Sequence, residues 1–313
     1  MTLKPITSAL IGAGCWLMVV VLLHPSPFHL RWGVALLLLS PLVLVPLGLG
    51  LVADEEQSAI EARLWRWIGI LQLPAALTLM LAFTLPNGWQ AAMLATPWLI
   101  VTILIALCGL FRGWRRGARP LAETSIDAGL IYLAVGGLWA VASRFGARPL
   151  NFDPVIVLLT AIHFHYAGFL LPLLTGLAGR VLTSRTARIA ALGVIFGVPL
   201  TALGITTTQL EFDHAMESVA ALVTASAGLL TAWLHCRLAM QKMQPRLVRS
   251  LWLIVALSLT FSMTLAMLYG LRFYLLLMWL DLPWMRALHG TANALGFGLV
   301  GLIAATLQRG RVE

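Results

Sequence analysis

Residues 151–180 read NFDPVIVLLTAIHFHYAGFLLPLLTGLAGR, a run apolar enough to cross a membrane that nevertheless carries His163, His165 and Tyr166 in its middle. Asp153 followed by Pro154 is a helix-start signature: a side chain able to cap the free amides, then a proline at the first helical position. From that start His163 lies ~15 Å along the helix at ~1.5 Å per residue, about half of a ~30 Å hydrocarbon core. Polar side chains at such depth are costly unless they face protein or a wet cavity, so they mark a candidate site. The stretch therefore sets the fold class: a polytopic membrane protein with a polar centre.

Composition agrees. Of 313 residues 60% are hydrophobic and only 11% charged, against about a quarter charged in an ordinary soluble domain. The formal charge of +9 does not point to nucleic acid, because the arginines sit in short segments between apolar runs, where the positive-inside rule accounts for them. Cys15, Cys108 and Cys236 are scattered with no paired spacing, so neither a disulfide framework nor a zinc site is expected. Only Lys4 precedes the first apolar run and no small-residue cleavage site follows it, which favours an uncleaved first span.

Hydropathy yields ten spans, roughly 7–23, 32–53, 64–85, 89–111, 125–144, 154–178, 188–209, 215–236, 250–271 and 285–307. Short connections join them throughout, so residues 1–313 are read as a single transmembrane domain, an all-α polytopic helix bundle. With the N-terminus inside, 16 of the 21 basic residues fall on the inner side, which predicts cytoplasmic N- and C-termini. Pro41, Pro46, Pro74, Pro97, Pro172 and Pro199 lie within spans, where each removes a backbone bond that neighbours must make good. Gly193 with Gly197, and Gly290, Ala294 and Gly298, have the spacing of close helix-packing faces.

On this topology the remaining polar residues gather in the outer half. His163, His165 and Tyr166 lie in the sixth span, Glu211, Asp213, His214 and Glu217 at the start of the eighth, and His289 and Asn293 in the tenth. His289 and Asn293, four apart, share a helical face, as do His163 and Tyr166, three apart. His163 and His165 are about 200° apart on an ideal helix and do not share a ligand unless that helix is distorted. Glu211 and His214 have E-x-x-H spacing, yet the same residues fit a capped helix start with Asp213 as N-cap, the preferred reading. Candidate substrate or proton sites are thus His163, His165, Tyr166, Glu217, His289 and Asn293. Candidate metal ligands are His163, His165, Glu211, His214 and His289. His24, His29 and His235 stand at span ends and are expected at the interface.

Two motifs, IHFHYAGF (162–169) and MRALHGTANALGF (285–297), about 120 residues apart, resemble the YndJ-like family of bacterial integral membrane proteins. The resemblance implies a multi-pass protein of the cytoplasmic (inner) membrane and singles out His163, His165, His289 and Asn293. It implies little about chemistry.

Two functions fit. In the first, a small-solute transporter or permease coupled to protons, the outer-half histidines and Glu217 bind solute or pass protons, since an imidazole titrates near working pH. Two oppositely oriented halves of five spans would suit such a carrier. In the alternative, a membrane-embedded enzyme acts on a lipid, isoprenoid or quinone, with these residues holding metal or haem or serving as acid and base. The expected partners are the lipid bilayer and a small-molecule or lipid-like substrate, with no nucleic acid. No cofactor, catalytic residue or oligomeric state is assigned.

Overall fold

The computed structural model describes residues 3–52, 58–117 and 120–310, so Arg119 and Arg311 of the charge count lie outside the described residues. Among the described residues ten helices are long and apolar enough to cross a membrane: α1 Pro5–Leu23, α2 Leu30–Val52, α3 Ala59–Ala82, α4 Trp89–Arg116, α5 Leu121–Phe145, α6 Pro154–Val181, α7 Arg185–Gln209, α8 His214–Ala239, α9 Arg246–Gly270 and α10 Leu282–Arg309. Each coincides with an expected span, and no strand occurs among the described residues. The main difference is at the starts. α3 and α9 begin four or five residues before the hydropathy signal, because their first turns carry Glu61 and Arg63, or Arg246 and Arg249. Charge hides those turns from a hydropathy window without unwinding them.

Local chemistry fixes the helix starts. Ser58 and Glu61 form a reciprocal capping box on α3, with the Ser58 N–H 2.6 Å from a Glu61 carboxylate oxygen. Asp153 accepts from Val155 N–H at 2.8 Å with Pro154 at the first position, as its sequence predicts. Ser184, Asp213 and Asp281 cap α7, α8 and α10 in the same way.

Contact density divides the chain into two compact units, one of 1–118 with Asp127–Leu170, the other of Arg119–Ile126 with Leu171–Glu313. The first is organised around α2, whose most apolar window is 83% buried, whereas that of α1 is 17% buried and covers it from outside. Pro41 and Pro46 make α2 irregular, and Ser40–Leu44 is π-helical. The Leu36 carbonyl would normally receive an N–H four or five residues on. Ser40 N–H instead bonds Leu37 O, and Pro41 has none to give. The Pro41 carbonyl is stranded likewise, since Val45 N–H turns to Ser40 O and Pro46 has no N–H. Other helices supply what is missing. The Tyr166 hydroxyl of α6 donates to Leu36 O at 2.6 Å, and the Gln72 amide nitrogen Nε2 of α3 donates to Pro41 O at 2.6 Å. Ser8 of α1 then donates to Gln72 Oε1 at 2.8 Å, and Trp16 Nε1 of α1 to Ala35 O at 2.6 Å. Gly12 packs its backbone directly on the Leu42 carbonyl, whose own four-residue donor would be Pro46. In lipid, where no water can satisfy a freed carbonyl, such cross-helix donors are what permits two prolines in a buried span.

In the second unit α7, α8 and α9 pack as successive antiparallel neighbours. Gly193 faces Ala227, Gly197 faces Thr224 and Gly204 faces Glu217, so the contacts run in opposite chain directions. The expected GxxxG face is therefore a real contact surface, and Thr201 reinforces it with a 2.8 Å hydroxyl bond to Thr224. α10 joins through Gly296 against Ser258 and Gly301 against Leu174. It is π-helical over Met285–Gly290 and again over Ala292–Leu299.

Candidate functional site

The sequence-predicted residues fall into three groups, one in the first unit and two in the second. In α6, His163 ends regular helix and Phe164–Leu170 is π-helical, so the distortion that the two histidines would need is present. They nevertheless have different surroundings. His165 is fully buried: its Nδ1 donates to Ala161 O at 2.8 Å, and its Nε2 accepts from Trp98 Nε1 of α4 at 3.0 Å. The two rings are also stacked, with an 18° interplanar angle. Gly136 of α5 gives the imidazole its room, since a Cβ there would lie 2.7 Å from Nδ1. Both ring nitrogens are thus used, and the imidazole is held as the Nδ1–H tautomer tying α4 to α6. Tyr166 is equally committed, to Leu36 O. His163 is half-buried, edge-on to Phe164.

The second group lies where α8 and α9 meet the connections on either side. Arg272 Nη2 donates to Glu217 Oε1 at 2.7 Å, and its guanidinium carbon sits 4.1 Å from the ring centres of both Tyr269 and Phe273. His214 stacks on Phe273 with centroids 4.1 Å apart. Glu217, 7% exposed, is therefore an ion-paired clamp. Asp213 caps α8, as read from its sequence. Glu211 sits in the turn before that cap, exposed and with φ +59°, so the E-x-x-H spacing does not fall on one helical face.

The third group is a closed polar ring between α9 and α10. His289 Nδ1 donates to Ser262 O at 2.8 Å, Asn293 Nδ2 donates to His289 Nε2 at 3.1 Å, and Ser262 Oγ donates to Asn293 Oδ1 at 3.0 Å. Ser262 Oγ also lies 3.1 Å from Leu259 O, a second acceptor for its single proton. His289 and Asn293 share a face as expected, on π-helical backbone. Among the described residues no three His, Cys, Asp or Glu side chains are grouped to hold a metal ion.

Sequence reasoning placed His235 at the interface, and the structure corrects this. α8 continues to Ala239, so His235 lies a turn inside, fully buried and stacked on Trp252 at 5.1 Å. Among the described residues neither ring nitrogen has a partner in hydrogen-bond geometry, although the Leu174 carbonyl lies nearby. Replacing His235 with phenylalanine is expected to leave thermal stability in detergent within about 1 kcal/mol of the wild type. His165→Phe should instead cost about 1–3 kcal/mol, because it strands the Trp98 N–H. Equal losses in the two variants would show that His235 has a polar partner after all.

Sequence reasoning also missed a buried charge cluster. Arg112 of α4 donates from Nε to Asp127 Oδ1 of α5 at 2.9 Å and from Nη1 to Val52 O at 3.2 Å. Arg116 pairs with the other Asp127 oxygen, and Arg115 lies 3.3 Å from Glu61, whose side chain is 1% exposed. The available signal was an acid just inside the fifth span, opposite the arginines that end the fourth.

A family model described as YndJ-like protein matches residues 35–297. Among curated proteins, the uncharacterized membrane protein YndJ of Bacillus subtilis (strain 168) is 31% identical over 279 residues, 88% of this chain and 48% of its own length. The chain thus spans about half the length of that relative. No solved structure matches.

Proposed function

This chain belongs to the YndJ-like family of membrane proteins, and on that premise we propose that it is a proton-coupled permease for a small solute. In this reading it lies in the bacterial cytoplasmic membrane with both termini on the cytoplasmic side, the orientation that the basic residues favour. The observation that carries the proposal is the ring of Ser262, His289 and Asn293, because it can hold His289 in either charge state.

In the neutral state Nδ1–H donates to Ser262 O and Nε2 accepts from the Asn293 amide. A proton arriving at Nε2 turns that acceptor into a donor. Rotating the Asn293 amide by half a turn brings Oδ1 to face Nε2–H and Nδ2 to face Ser262 Oγ. The serine proton then goes to Leu259 O, already at 3.1 Å. Every donor keeps an acceptor, and no backbone moves. A site that accepts and releases a proton without leaving a buried group unsatisfied is what proton coupling requires. His165 and Tyr166 contrast with it: each bonds a backbone carbonyl of its unit, which suits a scaffold role. His163, Glu217 and His214 remain the further candidates for solute contact.

The test is solid-supported-membrane electrophysiology on proteoliposomes, using panels of amino acids, sugars and carboxylates with the inner and outer pH varied. A charge-moving response to one class is expected, dependent on a proton gradient in wild type and lost in His289→Phe. Asn293→Leu, which cannot rotate to serve both states, should lose the pH dependence too. A metal bound in stoichiometric amount, or a Soret band abolished by His163→Ala or His289→Ala, would overturn this reading. It would favour the membrane-embedded enzyme acting on a lipid, isoprenoid or quinone.

A further inference from the structure

A recess of about 410 Å³ opens where the end of α8 meets the start of α9. Cys236, Ala239, Met240 and Leu253 give it an apolar wall, and the exposed Arg246, Arg249 and Ser250 form its polar rim. Arg249 is anchored by its Nε, which donates to Ala239 O at 2.9 Å. That bond leaves its two terminal amino groups with no protein partner among the described residues, and Arg246 likewise has no ion-pair partner there. Both arginines are exposed, as are Arg237 and Lys242 in the same turn region. No aspartate or glutamate occurs anywhere from 218 to 280, so nothing local in the chain neutralises these four cations.

The apolar wall does not stop at the recess. Leu253 is 47% exposed and Leu257, one turn further along α9, is 62% exposed, so the recess opens onto a bare apolar strip along a membrane-crossing helix. An anion held by the arginines would therefore have hydrocarbon-compatible surface directly below it. A soluble phosphate would use the rim and leave the strip uncovered. An anionic phospholipid uses both.

We propose that this recess binds an anionic phospholipid, with its phosphate on Arg246 and Arg249 and an acyl chain along Leu253 and Leu257. The arrangement follows the physics of cationic residues at the end of a transmembrane helix, which attract negatively charged headgroups. Anchoring through Nε presents the remaining fork of Arg249 to a phosphate in the geometry guanidinium groups favour.

The experiment is native mass spectrometry of the full chain, delipidated in a neutral detergent. It is offered dioleoyl phosphatidylglycerol, dioleoyl phosphatidylcholine, or sn-glycerol 3-phosphate as the soluble headgroup. Phosphatidylglycerol should be retained about tenfold better than phosphatidylcholine, given two cations at the headgroup. The double variant Arg246→Gln with Arg249→Gln should erase that preference, while the Lys/Lys double variant keeps it. Arg185→Gln with Arg188→Gln, outside the recess, should leave it unchanged. Leu253→Trp, which fills the wall, should lower phosphatidylglycerol retention with the arginines intact. All variants must elute as the wild type does, and the phosphatidylcholine baseline in each checks that lipid binding in general survives. Equal retention of the two lipids by wild type, or a preference that persists in the Gln/Gln variant, overturns the proposal. So does displacement of phosphatidylglycerol by an equimolar amount of glycerol phosphate, which would make this a soluble-anion site.

Discussion

Asp127→Ala is expected to destabilise the protein by about 3–5 kcal/mol, the cost of removing one member of a buried ion pair. The Arg112 side chain is 2% exposed and that of Asp127 5%, so neither can turn to water when the other is removed. Arg112 and Arg116 share this one carboxylate. Its loss leaves one guanidinium buried and brings two like charges together, one turn apart on α4. Asp127→Asn should be nearly as harmful, since the amide keeps the shape and loses the charge. The discriminating variant is the double replacement Arg112→Leu with Asp127→Leu. Removing both charges should recover a large part of the loss, although Arg116 still lacks its anion. Thermal unfolding in detergent, followed by the fraction that stays monodisperse, reads all of these. Single and double variants that fall equally would mean that the cluster acts through packing rather than charge.

The second large effect is expected at Gly12. Its backbone lies against the Leu42 carbonyl, and a methyl group placed there would overlap the oxygen. The obstacle is backbone, which cannot swing aside as a side chain can, so Gly12→Ala forces α1 away from α2. The shift also pulls on the Trp16–Ala35 bond, which joins α1 to α2, and on the Ser8–Gln72 bond, which joins α1 to α3. A loss of about 1–3 kcal/mol follows from the overlap alone, with more from the weakened bonds. Gly14 provides the internal control, because a Cβ there meets nothing within 4 Å. Gly14→Ala should match or slightly exceed wild-type stability, since alanine is the better helix former. If the two alanine variants melt together, α1 does not dock as described.

How legible was this in the sequence? The ten helices were, because a bilayer imposes length and hydropathy on each span independently of its neighbours. The caps at Asp153 and Asp213 were, since a side chain two residues from its amide is a purely local matter. Pairing between helices was not. Tyr166 looks like a polar residue awaiting a ligand until the Leu36 carbonyl, 130 residues earlier, is found bare beneath it. His165 deceives in the same way, its partner Trp98 lying 67 residues off. Asp127 escaped notice because hydropathy averages a single acid away, and the arginines opposite it were explained by the positive-inside rule. Ser262 had no signal at all, because a hydroxyl in a transmembrane helix usually bonds its own backbone, and only the ring with His289 and Asn293 gives it meaning. Conversely, the shared face of His289 and Asn293 was readable, since four residues apart is a local relation.

The five-residue interval between Pro41 and Pro46 also bears on how the chain is made. α2 leaves the ribosome with two carbonyls that its own backbone cannot satisfy. Their donors, Gln72 and Tyr166, have yet to be synthesised. Until α3 and then α6 enter the bilayer, those oxygens need water, lipid headgroups or the insertion machinery itself. The most buried helix of the first unit is therefore the one least able to settle alone, and its biogenesis is tied to the arrival of the sixth.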